Sequence, residues 1–445
     1  MTEPTPGPVP WREPLVCMAD GTVKQKSPFT GLEVWTIPGR AERPIGGVPT
    51  ERHHIDIATE GRVCAFCERC YLQTPPEKAR IIRDPGGGWR TIENVPAAEV
   101  ESTVAEFRLV PNLFSIVSLR YWTANYGYHL SPEEEARRAA YLASPDGLAH
   151  ILALVRHKLR LRGIDDGEWA AMSSEERLSH APTIFGGGHD LVVARRHHVE
   201  GAKYEDDLAS AGTLTPDEHG QYVALSVIAM RNLFRENPFV RYVSAFQNWL
   251  RPAGASFDHL HRQLVAIDEY PARAEFEIPR LRRDPDLYNT MGVDYAVSQR
   301  LIVAENETAI AYAGFGHRYP TLMVCSKSEH MLPWDHTPAE IRGMSDLLHA
   351  CHAATGALVP TNEEWHYRPP LITDAMPWRF LLKWRLSTSA GFEGGTGIYI
   401  NTIDPWQLRE RVVRRLVALQ RSGRLAAMSV GDACAVPRGV LRYRG

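Results

Sequence analysis

The stretch best equipped for chemistry is Gly254-Ala255-Ser256-Phe257-Asp258-His259-Leu260-His261-Arg262-Gln263, which runs on into apolar Leu264-Val265-Ala266. Side chains on a strand alternate faces, so His259, His261 and Gln263 project together. Three polar groups on one face of an apolar strand are costly to bury unless something uses them. Gly254 and Ser256, just ahead, let a backbone approach a ligand closely and offer donors to phosphate oxygens. An isolated His-x-His is more often a surface or satisfied core pair. The Gly-Ala-Ser lead-in weighs against that here, and so does an upstream pair, Cys64-Ala65-Phe66-Cys67, with Cys70 close behind. Seven cysteines, an odd number with three clustered, suit a metal site in a cytoplasmic protein better than a secreted disulfide framework.

These residues need a large scaffold. The chain has 445 residues, 44% hydrophobic and 23% charged, which is globular composition and too long for one ordinary core. A net charge of −3 gives a nucleic-acid partner no electrostatic support. The Pro-rich start, MTEPTPGPVPWREP, lacks the apolar core of a signal peptide. Apolar runs such as Val223 to Met230 are too short to span a membrane. The expectation is a cytoplasmic protein with no membrane segment.

Residues 1–20 read as a flexible tail. Ser131-Pro132-Glu133-Glu134 starts a helix, and Gly147 to Arg162 carries apolar residues at helical spacing. This predicts a helical insertion over 122–182 in an otherwise mixed pattern. A faint repeat surrounds it. Strand Leu191-Val192-Val193 precedes His197 and His198, a capping box at Thr215-Pro216-Asp217-Glu218, a helix to about Phe234, and strands near 239–247 and 259–266. Strand Thr321 to Val324 precedes His330, the same signal at Thr337-Pro338-Ala339-Glu340, a helix to Thr355, and strands near 378–386 and 397–401. The matching order predicts a duplicated α+β fold, with domains at 21–270 and 271–415 and a helix end and tail at 416–445. Gly86-Gly87-Gly88 and Gly186-Gly187-Gly188 read as turns, and His189, His317, His330 and His366 as surface or loop histidines.

The His-x-His-x-Gln strand resembles the active-site strand of the galactose-1-phosphate uridylyltransferase family of the histidine-triad superfamily, Asn-x(5)-Gly-x-Ser-x-x-His-Pro-His-x-Gln. Other segments match in order: Pro28-Phe29-Thr30-Gly31, Val34-Trp35, Pro38 and Arg40 to Pro44; Cys64 to Cys67 with Thr74-Pro75-Pro76-Glu77; Val110-Pro111-Asn112-Leu113-Phe114; and Ala390-Gly391-Phe392-Glu393. The resemblance spans about residues 24 to 415. It implies duplicated histidine-triad-like domains, antiparallel sheets with packed helices, and a homodimer.

It also implies roles. His261 would attack the α-phosphorus of a nucleotide sugar, a task that suits a neutral imidazole forming a labile phosphoramidate. Gln263 would bond the non-bridging oxygens. Histidine-triad hydrolases carry a third His at that position; Gln cannot supply a proton, which favours transfer to an anionic acceptor. Asn112, Asn248, Gly254 and Ser256 match nucleotide- and phosphate-contacting positions, Arg40 and Arg43 match arginines near the nucleotide, and Glu393 stands where the family reads sugar hydroxyls. A structural zinc would take Cys64, Cys67, His259 and, by alignment, His197, with His198 adjacent as the alternative. Departures are plain: Leu260 replaces Pro, Arg262 replaces a small residue, Trp249-Leu250-Arg251-Pro252 replaces a glycine-containing turn, and Trp378 to Trp384 lacks the paired histidines of a second metal. The leading expectation is nucleotidyl transfer between a nucleotide sugar and a sugar 1-phosphate. The competing readings are a phosphorylase of dinucleoside polyphosphates or ADP-sugars, and a non-catalytic zinc-stabilised nucleotide-binding protein.

Overall fold

Both Thr-Pro signals open long helices in the computed structural model, which describes residues 13–39, 52–56 and 61–444. Thr215 and Glu218 cap Pro216–Glu236, and Thr337 and Glu340 cap Pro338–Thr355. In each capping box the hydroxyl takes the N3 amide and the glutamate returns to the cap amide, satisfying N–H groups that the helix start leaves orphaned. The two helices pack on each other. At Gly212 a Cβ would fall 2.6 Å from the backbone of Ala353, so glycine is what permits the closest approach there.

Twelve antiparallel strands form the main sheet, in the order Ser429–Val430, Ile302–Glu305, Ala309–Gly314, Thr321–Ser326, Arg379–Trp384, Thr361–His366, Tyr242–Trp249, His261–Ile267, His189–Ala194, Phe107–Pro111, Ala79–Arg83, Trp89–Glu93. The order mirrors itself about the pairing of Tyr242–Trp249 with Thr361–His366, centred on Phe246 opposite Glu364. Phe246 also faces Gln263, and Glu364 faces Leu381. The mirror therefore sets Gln263 against Leu381, and His261 against Arg379. This is the duplicated α+β architecture with antiparallel sheets and packed helices.

One part of the expected repeat is different. The strand expected near 378–386 is present as Arg379–Trp384, but its partner is Thr361–His366, not 397–401. Ile398–Asn401 instead pairs in parallel with Glu33–Thr36 in a separate four-stranded sheet. Thr-Asn-Glu-Glu-Trp-His is too polar to read as a central strand. Its charges are neutralised in place, Glu363 by Arg262 and Glu364 by Lys383, with His352 and His366 as hydrogen-bond partners.

Six short helices fill the chain between Phe107–Pro111 and His189–Ala194 and build a satellite core around Ile151, Leu154, Val155 and Phe185. The stretches read as tails contain ordered structure. Leu15–Cys17 pairs with Val23–Lys26, and Tyr443 is buried, its hydroxyl donating to the Pro285 carbonyl. Among the described residues no helix is long and apolar enough to cross a membrane.

Candidate functional site

The metal-ligand candidates converge. Cys64 Sγ and Cys67 Sγ lie 3.8 Å apart. His197 Nδ1 is 3.6 Å from each sulfur, and His259 Nδ1 is 3.5 and 3.8 Å from them. A tetrahedral zinc with bonds of about 2.3 Å to sulfur and about 2.05 Å to nitrogen sets edges of about 3.8 Å between sulfurs and about 3.6 Å between sulfur and nitrogen. The four atoms fit that figure, so this donor set can hold a metal ion. His259 Nε2–H donates to the Ala194 carbonyl at 2.7 Å, leaving the Nδ1 lone pair free for a metal. A hydrogen bond from the Cys64 thiol lowers the Cys67 thiol well below its ordinary range, which favours the thiolate that a metal ligand must be. The structure selects His197 over His198, and Cys70 stays outside the cluster.

The loop carrying the cysteines is anchored from behind. Glu77 takes both Arg80 and Arg108 in a buried ion-pair group, and Arg108 also donates to Thr74 Oγ1 and the Tyr71 carbonyl. His150, from the helical insertion, lies 3.1 Å from the Thr74 carbonyl. The Thr74-Pro-Pro-Glu77 signature is thus a foundation for the cysteine loop. Sequence reading gave Arg80 and Arg108 no part in it, because strand arginines look exposed until a buried carboxylate is found for them.

The same loop reaches the strand beyond it. Phe66, between the two cysteines, packs at a tilt 5.0 Å from the His261 ring and 4.7 Å from Phe257, centroid to centroid. His261 is only 5% exposed, and burial lowers its basicity to about 4, so the ring is neutral near pH 7. Its Nδ1–H donates to the His259 carbonyl at 2.7 Å. That bond fixes the tautomer and leaves Nε2 with a free lone pair. The residue that supplies one metal-ligand nitrogen therefore also supplies the carbonyl that orients His261.

Gln263 lies on the same face, opposite Leu191. Arg262, between them, points the other way, into the helices, pairing with Glu363 and donating to Ser226 Oγ at 3.0 Å. Asn248 accepts from Asn362 Nδ2 at 2.7 Å, and Asn362 also holds the Ala253 carbonyl. These bonds brace the turn in which Leu250 and Gly254 both take positive φ. Gly254 and Ser256 are exposed at the rim. Asn112 is close to the His189 ring. Glu393 caps its own short helix, Gly391–Thr396, taking the Ala390 N–H at 2.9 Å, beside the small sheet where Phe392 meets Trp35. Arg40 and Arg43 lie outside the described residues.

Of the histidines expected at the surface or in loops, His330 and His317 do lie in loops, and the rest is corrected here. His189 begins a central strand, is buried, and contacts Gln263 Oε1 at 3.2 Å. His317 is buried, and His366 is a half-buried strand residue beside Glu364. The signal for His189 was its place two residues before Leu191, on the same face of the same strand.

Residues 18–443 match the sequence model of a family described as "Domain of unknown function (DUF4921)". An ADP-glucose phosphorylase from Arabidopsis thaliana is 26% identical over 185 residues, 39% of this chain and 52% of that protein; the chain spans about half the length of this curated relative. The crystal structure of an ADP-glucose phosphorylase from Arabidopsis thaliana with bound ADP-glucose superposes with a TM-score of 0.57 at 17% identity, covering 88% of this chain and 98% of that one. A galt-like protein from the same plant gives 0.54 at 18%, covering 87% and 97%. The fold is shared with both, as expected for a divergent chain resembling the galactose-1-phosphate uridylyltransferases.

Proposed function

The chain belongs to the DUF4921 family, and we propose that it is a nucleotidyltransferase working through a covalent nucleotidyl-His261. The observation that carries this reading is the hydrogen bond from His261 Nδ1–H to the His259 carbonyl, which turns an unprotonated Nε2 toward the face shared with Gln263. In the first step Nε2 attacks the α-phosphorus of a nucleoside diphosphate sugar. The bond from that phosphorus to the bridging oxygen breaks, and the sugar 1-phosphate departs with its electron pair. In the second step a phosphate oxygen of the acceptor attacks the same phosphorus and His261 leaves. One hard exchange becomes two easier ones. The Gln263 amide donates to the non-bridging oxygens as charge gathers on them. It has no proton to give a leaving group, which suits an acceptor that is already anionic.

Zinc is the metal that two thiolates and two imidazoles suit, held by Cys64, Cys67, His197 and His259. With all four positions taken by protein, its part is structural: it fixes the strand start that presents His261.

Similarity to ADP-glucose phosphorylase favours ADP-glucose as donor and inorganic phosphate as acceptor over the UDP-sugar and sugar 1-phosphate pairing. The test is exchange of labelled phosphate and labelled hexose 1-phosphates into ADP-glucose, UDP-glucose and diadenosine tetraphosphate. Label entering ADP from phosphate supports the phosphorylase form, and label entering the nucleotide sugar from hexose phosphate alone supports the transferase form. Absence of exchange with every pair, in metal-replete protein, contradicts both.

A further inference from the structure

His189 takes no part in the steps above, yet it is buried on the face of His261 and Gln263, opposite Val265. Its ring makes two edge contacts. The Ile116 backbone N–H donates to Nδ1 at 3.1 Å, and Nε2 lies 3.2 Å from Gln263 Oε1. A backbone N–H can only donate, so Nδ1 must be the bare nitrogen and Nε2 carries the hydrogen. Nε2–H needs an acceptor, and Gln263 Oε1 is one. The third neighbour is Asn112, whose Nδ2 lies 3.1 Å from Nε2 and 3.4 Å from Nδ1. An amide nitrogen meeting one ring nitrogen in the plane could not lie so near the other, so this amide stacks over the ring face. Its own orientation is set, because Asn112 Oδ1 accepts from the Phe114 N–H at 2.9 Å. Both edge bonds of His189 are left intact.

We propose that His189 is a positioning residue that locks the Gln263 amide, holding Oε1 inward and turning the NH2 group toward the phosphoryl oxygens beside His261. This rests on the reading of Gln263 as a phosphoryl contact. A glutamine amide is nearly symmetric in shape and opposite in charge at its two ends. Flipped, it would set a carbonyl oxygen against a phosphate and exchange an attraction for a repulsion. The donor chain from Ile116 through His189 to Gln263 runs in one direction only, so the flip would put two donors face to face. The device needs a neutral ring, since a protonated Nδ1 could not accept from Ile116. Burial supplies that, holding His189 down to about 4.

The test has two arms. The first needs no substrate: 15N NMR of the wild-type protein, with the His189 signal assigned by its loss in His189→Leu. The expected result at pH 7 is a neutral ring protonated on Nε2. A ring protonated on Nδ1, or a charged ring, overturns the proposal. The second arm measures nucleotidylation of His261. His189→Leu is expected to slow it by up to about a hundredfold, the scale of one lost oxyanion donor, but to add nothing in a Gln263→Ala background. His189→Gln, whose Nε2 can stand where the imidazole Nε2 stood, should restore most of the rate, and the shorter His189→Asn should not. An equal loss in both backgrounds, or no difference between Gln and Asn, overturns it. The Gln and Asn pair carries the comparison if His189→Leu does not fold. Transfer that survives His261→Ala would instead sink the nucleotidyl-histidine reading, and the tautomer result would still stand.

Discussion

The two halves of the sheet place different chemistry at the same point. About the Phe246–Glu364 pair, His261 answers to Arg379 and Gln263 to Leu381. In the first half the position is held by a neutral imidazole beside a metal-ligand cluster, with an unprotonated nitrogen free. In the second half it is held by a guanidinium, 1% exposed, paired with Glu277 at 2.9 Å and stacked on Tyr288. Glu277 is closed off further by Arg273 and the Tyr288 hydroxyl. At the matching point the second half holds a buried ion pair, which presents no unprotonated nitrogen there. One scaffold can therefore keep its geometry while the two copies carry different side-chain chemistry at the same point.

The largest effect should come from the metal cluster. His259→Ala or Cys67→Ser should lose bound metal and lower the melting temperature steeply, because structural zinc supplies folding free energy. Arg379→Met should leave metal content unchanged. Metal analysis beside thermal melts checks both, with about one zinc per chain expected in the wild type by analogy with four-ligand sites.

Next comes the second half. Glu277→Gln strands a buried guanidinium and should cost about 3–5 kcal/mol, read by denaturant unfolding, while the folded fraction keeps its transfer rate per molecule. A large fall in that rate would mean the second half contributes to chemistry. Arg379→His should not gain a nucleotidyl adduct at that position.

Gln263→Ala should keep the His261 adduct and slow transfer by about two orders of magnitude, as for one oxyanion donor. Single-turnover kinetics separates formation of the adduct from its consumption.

A pH dependence is expected at the seam between the halves. Burial would raise the Glu363 carboxyl, but Arg262 and His352 overcome it and hold it near 2 instead of 4.5. A folded value below the unfolded one means this stability is complete above about 4.5 and drains away as pH falls toward 2. Glu363→Gln should flatten that limb of the melting profile and leave the limb above pH 5 parallel to the wild type.

Much of this was legible in the sequence. The Thr-Pro capping boxes named both long helices, since a cap is a local signal. Cys-x-x-Cys and the first histidine of His-x-His pointed to side chains that the fold does bring together, with His197, in one cluster, since ligand spacing is a local signal. The strand Thr361–His366 was not legible, because the cations that let its glutamates be buried, Arg262 for Glu363 and Lys383 for Glu364, stand on other strands that the fold alone sets beside them. His189 was hidden for the same reason: its role depends on Ile116 and Gln263, which the fold alone brings to it.

The central claim is a covalent intermediate at His261, and intact-mass spectrometry tests it most directly. Metal-replete protein would be incubated with ADP-glucose, UDP-glucose or diadenosine tetraphosphate, without acceptor. The account predicts one added nucleoside monophosphate per chain, labile to acid and stable to base, discharged by the anionic acceptor and lost in His261→Ala protein that still folds and binds metal. Turnover of any of these donors that continues undiminished in His261→Ala would contradict it.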